Sequence, residues 1–259
     1  MFKRIILSAC MVLGLGVAAN AAETEEEIED VAFSFEGVFG RFDQEQLQRG
    51  LQVYTQVCAA CHGLNLVAYR NLGDVGGPMM TEEQVKAYAA MFETFDPEID
   101  DFRPAIPADY FGDSQYEGAP DLSLMAKSRK GFEGPNGLLI NPLFRGLGGP
   151  EYIVALLEGY TGEEKELAGT ILYENTAFPG GWISMPQPLF EEMVEFEPAA
   201  DNDLASLSKD TAAFLMWTAE PKLMQRKKAG LVAVLFLGFL AILLYLTNKK
   251  LWAKAKRKD

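Results

Sequence analysis

Cys58-Ala59-Ala60-Cys61-His62 carries the most specific chemistry in the chain. The spacing C-x-x-C-H is the attachment signature of a c-type haem. Two thiols three positions apart can add across the two vinyl groups of one porphyrin and leave two thioether bonds. The histidine directly after the second thiol then lies under the ring, where an imidazole nitrogen binds the iron. Other uses of these residues fit less well. A redox-active C-x-x-C belongs beside a βαβ pattern, and none surrounds this one. A zinc site takes about four Cys or His ligands. The chain has three cysteines and one histidine, and Cys10 falls in a segment expected to be removed. A disulfide between Cys58 and Cys61 would close a very short loop and stabilise little.

A six-coordinate iron needs a second axial ligand. His62 is the only histidine, so a second imidazole from this chain is excluded. Methionine thioether is the usual alternative in electron-transfer haems, and it raises the reduction potential. Of ten methionines, Met1 and Met11 fall in the expected leader. Met91, Met125, Met193, Met216 and Met224 fall on apparent helices or helix edges, where packing accounts for them. Met79-Met80 and Met185 lie in Gly/Pro-rich loops. Met185 is followed by Pro186, which fixes the local backbone. Met185 is therefore the expected ligand, with the Met79-Met80 pair as the alternative.

These residues need elements to hold them. Asp43 is a plausible N-cap, with Gln46 three residues on as in a capping box. Leu47, Leu51 and Tyr54 give the helix that follows one apolar face, and it runs directly into Cys58. An amphipathic helix followed at once by C-x-x-C-H resembles the start of the class I cytochrome c fold, where the second ligand also lies far downstream. Residues 73–150 are rich in Gly and Pro. One helix is expected there, from Thr81 to Phe92, with Thr81 as cap and Glu82 and Glu83 in its first turn. The rest of that stretch reads as long loops over a haem-bearing core. Tyr152 to Tyr160 reads as a helix, with Ile153, Leu156 and Leu157 apolar. Gly180 to Pro188 is a rigid, turn-rich loop carrying Met185. Leu204, Leu207, Thr211, Phe214 and Leu215 mark a last domain helix that ends before Glu220-Pro221. The expected fold is mainly α: a class I cytochrome c-like haem domain with long loop insertions, plus one C-terminal transmembrane helix.

The two ends of the chain are apolar. Residues 1–21 read as a secretory signal: Lys3 and Arg4, an apolar run from Ile5 to Ala18, and a small-x-small site at Ala19-Asn20-Ala21. Leu7 to Cys10 superficially resembles a lipid-attachment box, but only Ile5 to Ala9 lie between Arg4 and Cys10, short for an h-region of ~7–15 residues. The mature chain is expected to begin at Ala22 and to retain only Cys58 and Cys61, so no structural disulfide remains once haem is attached. Ala229 to Leu246 is 18 uncharged, almost wholly apolar residues, close to the ~20 that span a bilayer. Arg226, Lys227 and Lys228 flank it on one side. Lys249, Lys250, Lys254, Lys256, Arg257 and Lys258 flank it on the other. The richer basic side places the tail in the cytoplasm. The expected organisation is a signal at 1–21, a periplasmic haem domain at 22–221, an anchor at 222–248 and a basic cytoplasmic tail at 249–259, in a single-pass protein of the bacterial inner membrane.

Charge is divided in the same way. Residues 22–221 hold 36 acids against 11 bases, a net −25, whereas residues 222–259 hold ten bases against one acid. So acidic a body argues against nucleic acid and for a basic protein partner.

Beyond the haem motif, the chain contains Val67-Ala68-Tyr69-Arg70, Arg103-Pro104 followed by Asp109-Tyr110-Phe111, and Gly118-Ala119-Pro120-Asp121-Leu122-Ser123. It continues with Tyr152 to Tyr160, Met185-Pro186, and Phe214 to Trp217 before Glu220-Pro221. In this order, and with a C-terminal anchor, the series resembles the cytochrome c1 family of bacterial type, the haem-bearing subunits of cytochrome bc1 complexes. The resemblance implies haem contacts from Pro120, whose carbonyl would accept the other ring N–H of His62, from Arg129 to a propionate, and from Tyr152 near it. Taken alone, these would read as a turn proline, a surface arginine and a core tyrosine. Some bacterial relatives carry an extra cysteine pair, which this chain lacks. The implied function is one-electron transfer from a Rieske iron–sulfur protein to a soluble basic cytochrome c, beside cytochrome b in a dimeric quinol–cytochrome c reductase. No nucleophile–base pair suggests bond-making catalysis. The alternatives are a free-standing anchored cytochrome that feeds an oxidase, and an enzyme with an open haem position.

Overall fold

The computed structural model describes residues 28–129 and 148–253. The expected signal, its cleavage site and the basic residues after Ala253 lie outside the described residues. Helix α1 (Gln44–Gln56) begins as its sequence dictates, with the Asp43 side chain accepting the N–H of Gln46. The second half of the expected capping box does not form. Gln46 Nε2 instead donates to Asp210 Oδ1 at 3.0 Å, on a helix 164 positions away. Leu47, Leu51 and Tyr54 are buried along one face of α1.

That face lies on a later helix, numbered α5 (Leu204–Ala219), whose N-cap Asp203 accepts the N–H of Ser206. The backbones approach closely at Gly50, where a Cβ would sit 2.1 Å from the Asp210 carbonyl oxygen. Arg49 fastens the crossing. Its Nε lies 2.6 Å from Asp210 Oδ2 and its Nη2 3.1 Å from Oδ1. Asp210 is 3% exposed, and a carboxylate so deep needs these donors. α5 is buried almost all round from Leu207 to Ala219, because α3 (Met125–Ser128) and α4 (Gly149–Glu158) cover the sides that α1 leaves open. Phe214 and Trp217 sit fully buried in the core with Leu47, Leu64 and Leu72. α5 ends at Ala219, as Glu220-Pro221 requires.

α2 (Glu82–Ala89) carries a full capping box between Thr81 and Gln84. It stops three residues short of Phe92. Not all the rest of 73–150 is loop. β1 (Glu93–Asp96) and β2 (Asp101–Pro104) form an antiparallel hairpin with Phe95 opposite Phe102. The two rings meet edge to face, with centroids 5.6 Å apart. Strands this short, with one aromatic each, leave no alternation long enough to see in the sequence. A second sheet, β3 (Tyr160–Leu167), β4 (Thr170–Asn175) and β5 (Trp182–Ile183), is antiparallel in that order. Its first strand is exposed almost throughout and rich in Glu, so it too lacks a strand signature. The fold is nonetheless mainly helical.

α6 (Leu223–Trp252) is one continuous helix of 30 residues. Only Leu223 is buried, and the apolar residues from Leu231 to Leu246 face outward. At ~1.5 Å per residue the uncharged stretch Ala229–Leu246 is ~27 Å long, close to a ~30 Å hydrocarbon core. The helix is long and apolar enough to cross a membrane. Its base is tied to the body, where Lys227 Nζ donates to the carbonyls of Phe35 and Gly37.

Candidate haem-binding site

α1 ends at Val57, and Cys58–Ala60 forms a single 3-10 turn. The N–H groups of Cys61 and His62 both return to the Cys58 carbonyl, at 3.1 and 2.9 Å. This turn brings the two thiols and the imidazole to one end of α1. Cys58 is half-buried, Cys61 is exposed, and both are free thiols. Burial, and then the neighbouring Cys61, push the Cys58 thiol up to about 12. A thiol held neutral is the reverse of a redox-active C-x-x-C, whose thiolate is stabilised.

His62 is oriented by its other nitrogen. Nδ1 lies 2.8 Å from the Pro120 carbonyl oxygen. A carbonyl only accepts, so Nδ1 carries the proton and Nε2 keeps its lone pair for a metal. The Pro120 carbonyl is itself fixed. Asp121 and Ser123, one and three residues after Pro120 in the same motif, accept backbone N–H groups across the site. Asn65 N–H donates to Asp121 Oδ2 at 2.8 Å, and Leu66 N–H to Ser123 Oγ at 3.1 Å. Leu122 N–H returns to the Gly63 carbonyl at 2.9 Å. Gly63 itself lies so close to the backbone of Gly112 and Asp113 that a Cβ would meet the Gly112 oxygen at 2.4 Å. Tyr54, on the buried face of α1, donates its hydroxyl to the His62 carbonyl at 2.9 Å. Burial raises its pKa, so it stays a donor. The loop after the histidine is thus clamped from three directions.

The donor set fits a c-type haem: two adjacent free thiols, and an imidazole whose free nitrogen is the metal-binding one. The sequence matches the Cytochrome C1 family over residues 33–255. The chain is 48% identical to cytochrome c1 of Cereibacter sphaeroides, over 100% of this chain and 98% of that one. It is 42% identical to cytochrome c1 of Rhodobacter capsulatus, over 98% and 99%. It is 38% identical to a protein named cytochrome b/c1 from Bradyrhizobium diazoefficiens, covering 96% of this chain and 39% of that longer one. The chain belongs to the cytochrome c1 family. As a cytochrome c1 family member it carries one covalently bound c-type haem and serves electron transport.

The other expected site residues fall as follows. Arg129 and Tyr152 come together, with the guanidinium carbon 5.9 Å from the ring centroid. Arg129 is exposed and its Nε is 3.3 Å from Met125 Sδ, whereas Tyr152 is buried on α4. Met185 is half-buried two residues beyond β5. Its carbonyl accepts the Tyr160 hydroxyl at 3.1 Å. The alternative pair differs. Met79 is half-exposed with a left-handed backbone (φ 52°), and Met80 packs against the core with its N–H bonded to the Leu72 carbonyl at 3.0 Å.

Several residues that build this arrangement went unrecognised in the sequence. Asp121 and Ser123 lie in the stretch from Gly118 to Ser123, but their bonding partners lie 56 and 57 positions away. Asn175 is fully buried and organises the turn before the Met185 loop. Its Oδ1 accepts the N–H groups of Ala177 and Phe178, both at 3.1 Å, and its Nδ2 donates to the Leu156 carbonyl at 2.8 Å. An asparagine beside turn residues was the available signal.

Proposed function

We propose that this chain is the haem subunit of a quinol–cytochrome c reductase, accepting one electron from a Rieske iron–sulfur protein and passing it to a soluble basic cytochrome c. Cys58 and Cys61 would hold the haem by thioether bonds, with His62 and Met185 as the axial ligands of its iron. Arg129 and Tyr152 would lie at the propionates. When bound, the haem supplies a one-electron iron couple. The observation that carries this reading is the bond from His62 Nδ1 to Pro120 O. It orients the imidazole and raises the basicity of Nε2. An electron carrier gains from such rigidity, because little has to reorganise when the charge changes. The loop of Met185, held by Tyr160 and Asn175, extends the same logic to the second ligand.

Placement within a complex draws support from the relative whose name joins cytochrome b to c1. It also draws on α6, which would hold the haem domain at a membrane surface, in the periplasm with the C-terminus in the cytoplasm. The domain would span residues 22–221, with the anchor from 222 and the basic tail beyond it. Purification of the chain from membranes in mild detergent tests the proposal. Co-purification with a multi-haem cytochrome b and an iron–sulfur protein is expected, with quinol-driven haem reduction that stops when the iron–sulfur protein is extracted. Isolation of the chain alone, reduced equally well without those subunits, would favour the free-standing cytochrome. Carbon monoxide binding to the reduced haem would show an open position and refute ligation by Met185.

A further inference from the structure

Two loops of the haem domain converge on the first turns of α6. The first is held by Lys227, whose Nζ donates to the Phe35 carbonyl and, at 2.6 Å, to that of Gly37. This loop is tightly closed. The Arg41 N–H donates to the Ser34 carbonyl at 2.8 Å, and a Cβ on Gly40 would lie 1.7 Å from the Glu36 carbonyl oxygen. Val38 and Phe39 stand between these closures. The second loop packs on the end of α5 and the start of α6. A Cβ on Gly77 would lie 2.7 Å from Trp217 Nε1, and one on Gly76 would lie 3.3 Å from Met224 Cγ. Val75 precedes them. Among the described residues, Val75 (79% exposed) and Phe39 (78%) are the two most exposed large apolar side chains, ahead of every one on α6 itself. Val38 is 41% exposed. Single exposed apolar residues are ordinary. The two most exposed ones, held out by tight loops at the base of one apolar helix, are not scattered.

We infer that Val38, Phe39 and Val75 form a lipid-contacting rim that seats the haem domain on the bilayer surface. The inference rests on α6 crossing the membrane. Depth then decides what covers these residues. The uncharged stretch of α6 is ~27 Å long against a ~30 Å hydrocarbon core, so the core begins at or just before Ala229. The headgroup layer outside it is about 5–8 Å thick. Lys227 lies ~3 Å before Ala229 along the helix and Met224 ~7.5 Å before it. The contacts that hold both loops therefore fall within the headgroup layer, where an exposed phenylalanine gains apolar surroundings without leaving its loop. Lys222 and Lys228 are exposed at the same level, where lipid phosphates complement ammonium groups. A partner protein is the competing cover, but these loops meet lipid at this depth without any partner. A lone helix leaves a domain free to tilt on the membrane. Two loops resting beside it would fix that tilt, and with it the height and direction of the haem motif.

The test uses the full-length, haem-loaded chain beginning at Ala22, reconstituted alone in phosphatidylcholine nanodiscs. Cys58 and Cys61 are spent on the thioethers, so an introduced cysteine is the one reactive thiol. Nitroxide labels go on F39C and V75C, with L237C in the middle of α6 as the lipid reference and F102C on β2 as the water reference. Relaxation by lipid-soluble oxygen is compared with that by a water-soluble nickel complex. Residues 39 and 75 should lose nickel accessibility and gain oxygen accessibility, as residue 237 does, while residue 102 stays open to nickel. Without labels, Phe39→Asp with Val75→Asp should reduce the linear dichroism of the haem in oriented bilayers and leave its absorption spectrum unchanged. Labels at 39 and 75 as open to nickel as the one at 102, with 237 in lipid, would overturn the inference and leave the anchor standing. Shielding of 39 and 75 from both reagents would assign the rim to contact with a second copy of this chain and overturn it too. A label at 237 open to nickel would remove the membrane span, and the inference with it.

Discussion

A haem ligand is worth what its surroundings allow, and the two proposed ligands differ in how they are held. His62 is fixed through its own ring, by Pro120. Met185 has no polar atom to fix, so its loop is held through the backbone, by the Tyr160 hydroxyl. Met185→Leu should leave the thioether-linked haem in place and lower its reduction potential on the order of 100 mV or more, within the ~0.8 V range that axial ligands set. Tyr160→Phe should cost roughly 0.5–1.5 kcal/mol for the lost bond and shift the potential far less. Redox titration of both variants checks this. An unchanged potential in Met185→Leu, or a large fall in Met80→Leu, would move the ligand to the other loop. The sequence made Cys58, Cys61 and His62 legible because thioether chemistry fixes their spacing. Asp121, Ser123 and Asn175 were not legible, because what they do is set by carbonyls and N–H groups brought close only by the fold.

At the scale of elements, the longer helices were readable, whereas the strands and the short α3, in a stretch expected to be loop, were not. α1, α2 and α5 announce themselves by caps and apolar periodicity, both local properties of the chain. The hairpins are held by pairing between short, largely exposed segments, so their information lies across the sheet. Even in α1, Gln46 stands where a capping box would use it locally but bonds the distant Asp210 instead. The contact of α1 with α5 decides where the haem motif sits, since Cys58 follows α1 directly. Gly50 is its tightest point. Gly50→Ala would favour the isolated helix by ~1 kcal/mol but would drive a methyl into the Asp210 carbonyl. Repulsion wins, because backbone oxygen in a buried helix cannot swing aside. A net loss of about 1–3 kcal/mol is expected, read as a lower denaturation midpoint of the haem-loaded protein. A neutral or stabilising Gly50→Ala would mean that the helices separate more easily than the packing suggests.

The whole molecule is a strongly acidic body on a basic-flanked apolar helix, and the fold sharpens which acids can act at a distance. On the first hairpin Asp96 is neutralised by Arg103, whose Nε is 2.7 Å away and which also binds Asp109. Arg103 accordingly holds both carboxyls below the usual range. Glu191, Glu192, Glu195, Glu197 and Asp201 are all exposed, and none has an ion-pair partner among the described residues. Glu163, Glu164 and Glu166 on β3 add a further exposed group. Unpaired surface charge steers encounter more than it tightens the final complex. It is screened over a Debye length of ~10 Å at 0.1 M salt. Electron transfer to a basic soluble cytochrome c should therefore slow by ~10-fold or more between low and high ionic strength. Changing Glu191, Glu192, Glu195 and Glu197 to Gln should lower the low-salt rate and flatten the dependence, with no change in the haem spectrum. The same change on Glu163, Glu164 and Glu166 separates local docking from net charge, because a purely global field responds to either set alike. Stopped-flow oxidation of the reduced protein across a salt series reads both effects. Phe190 and Met193 stand exposed among the first set of glutamates. A rate indifferent to salt in wild type and variants would therefore assign docking to apolar contact and leave the acidity to solubility.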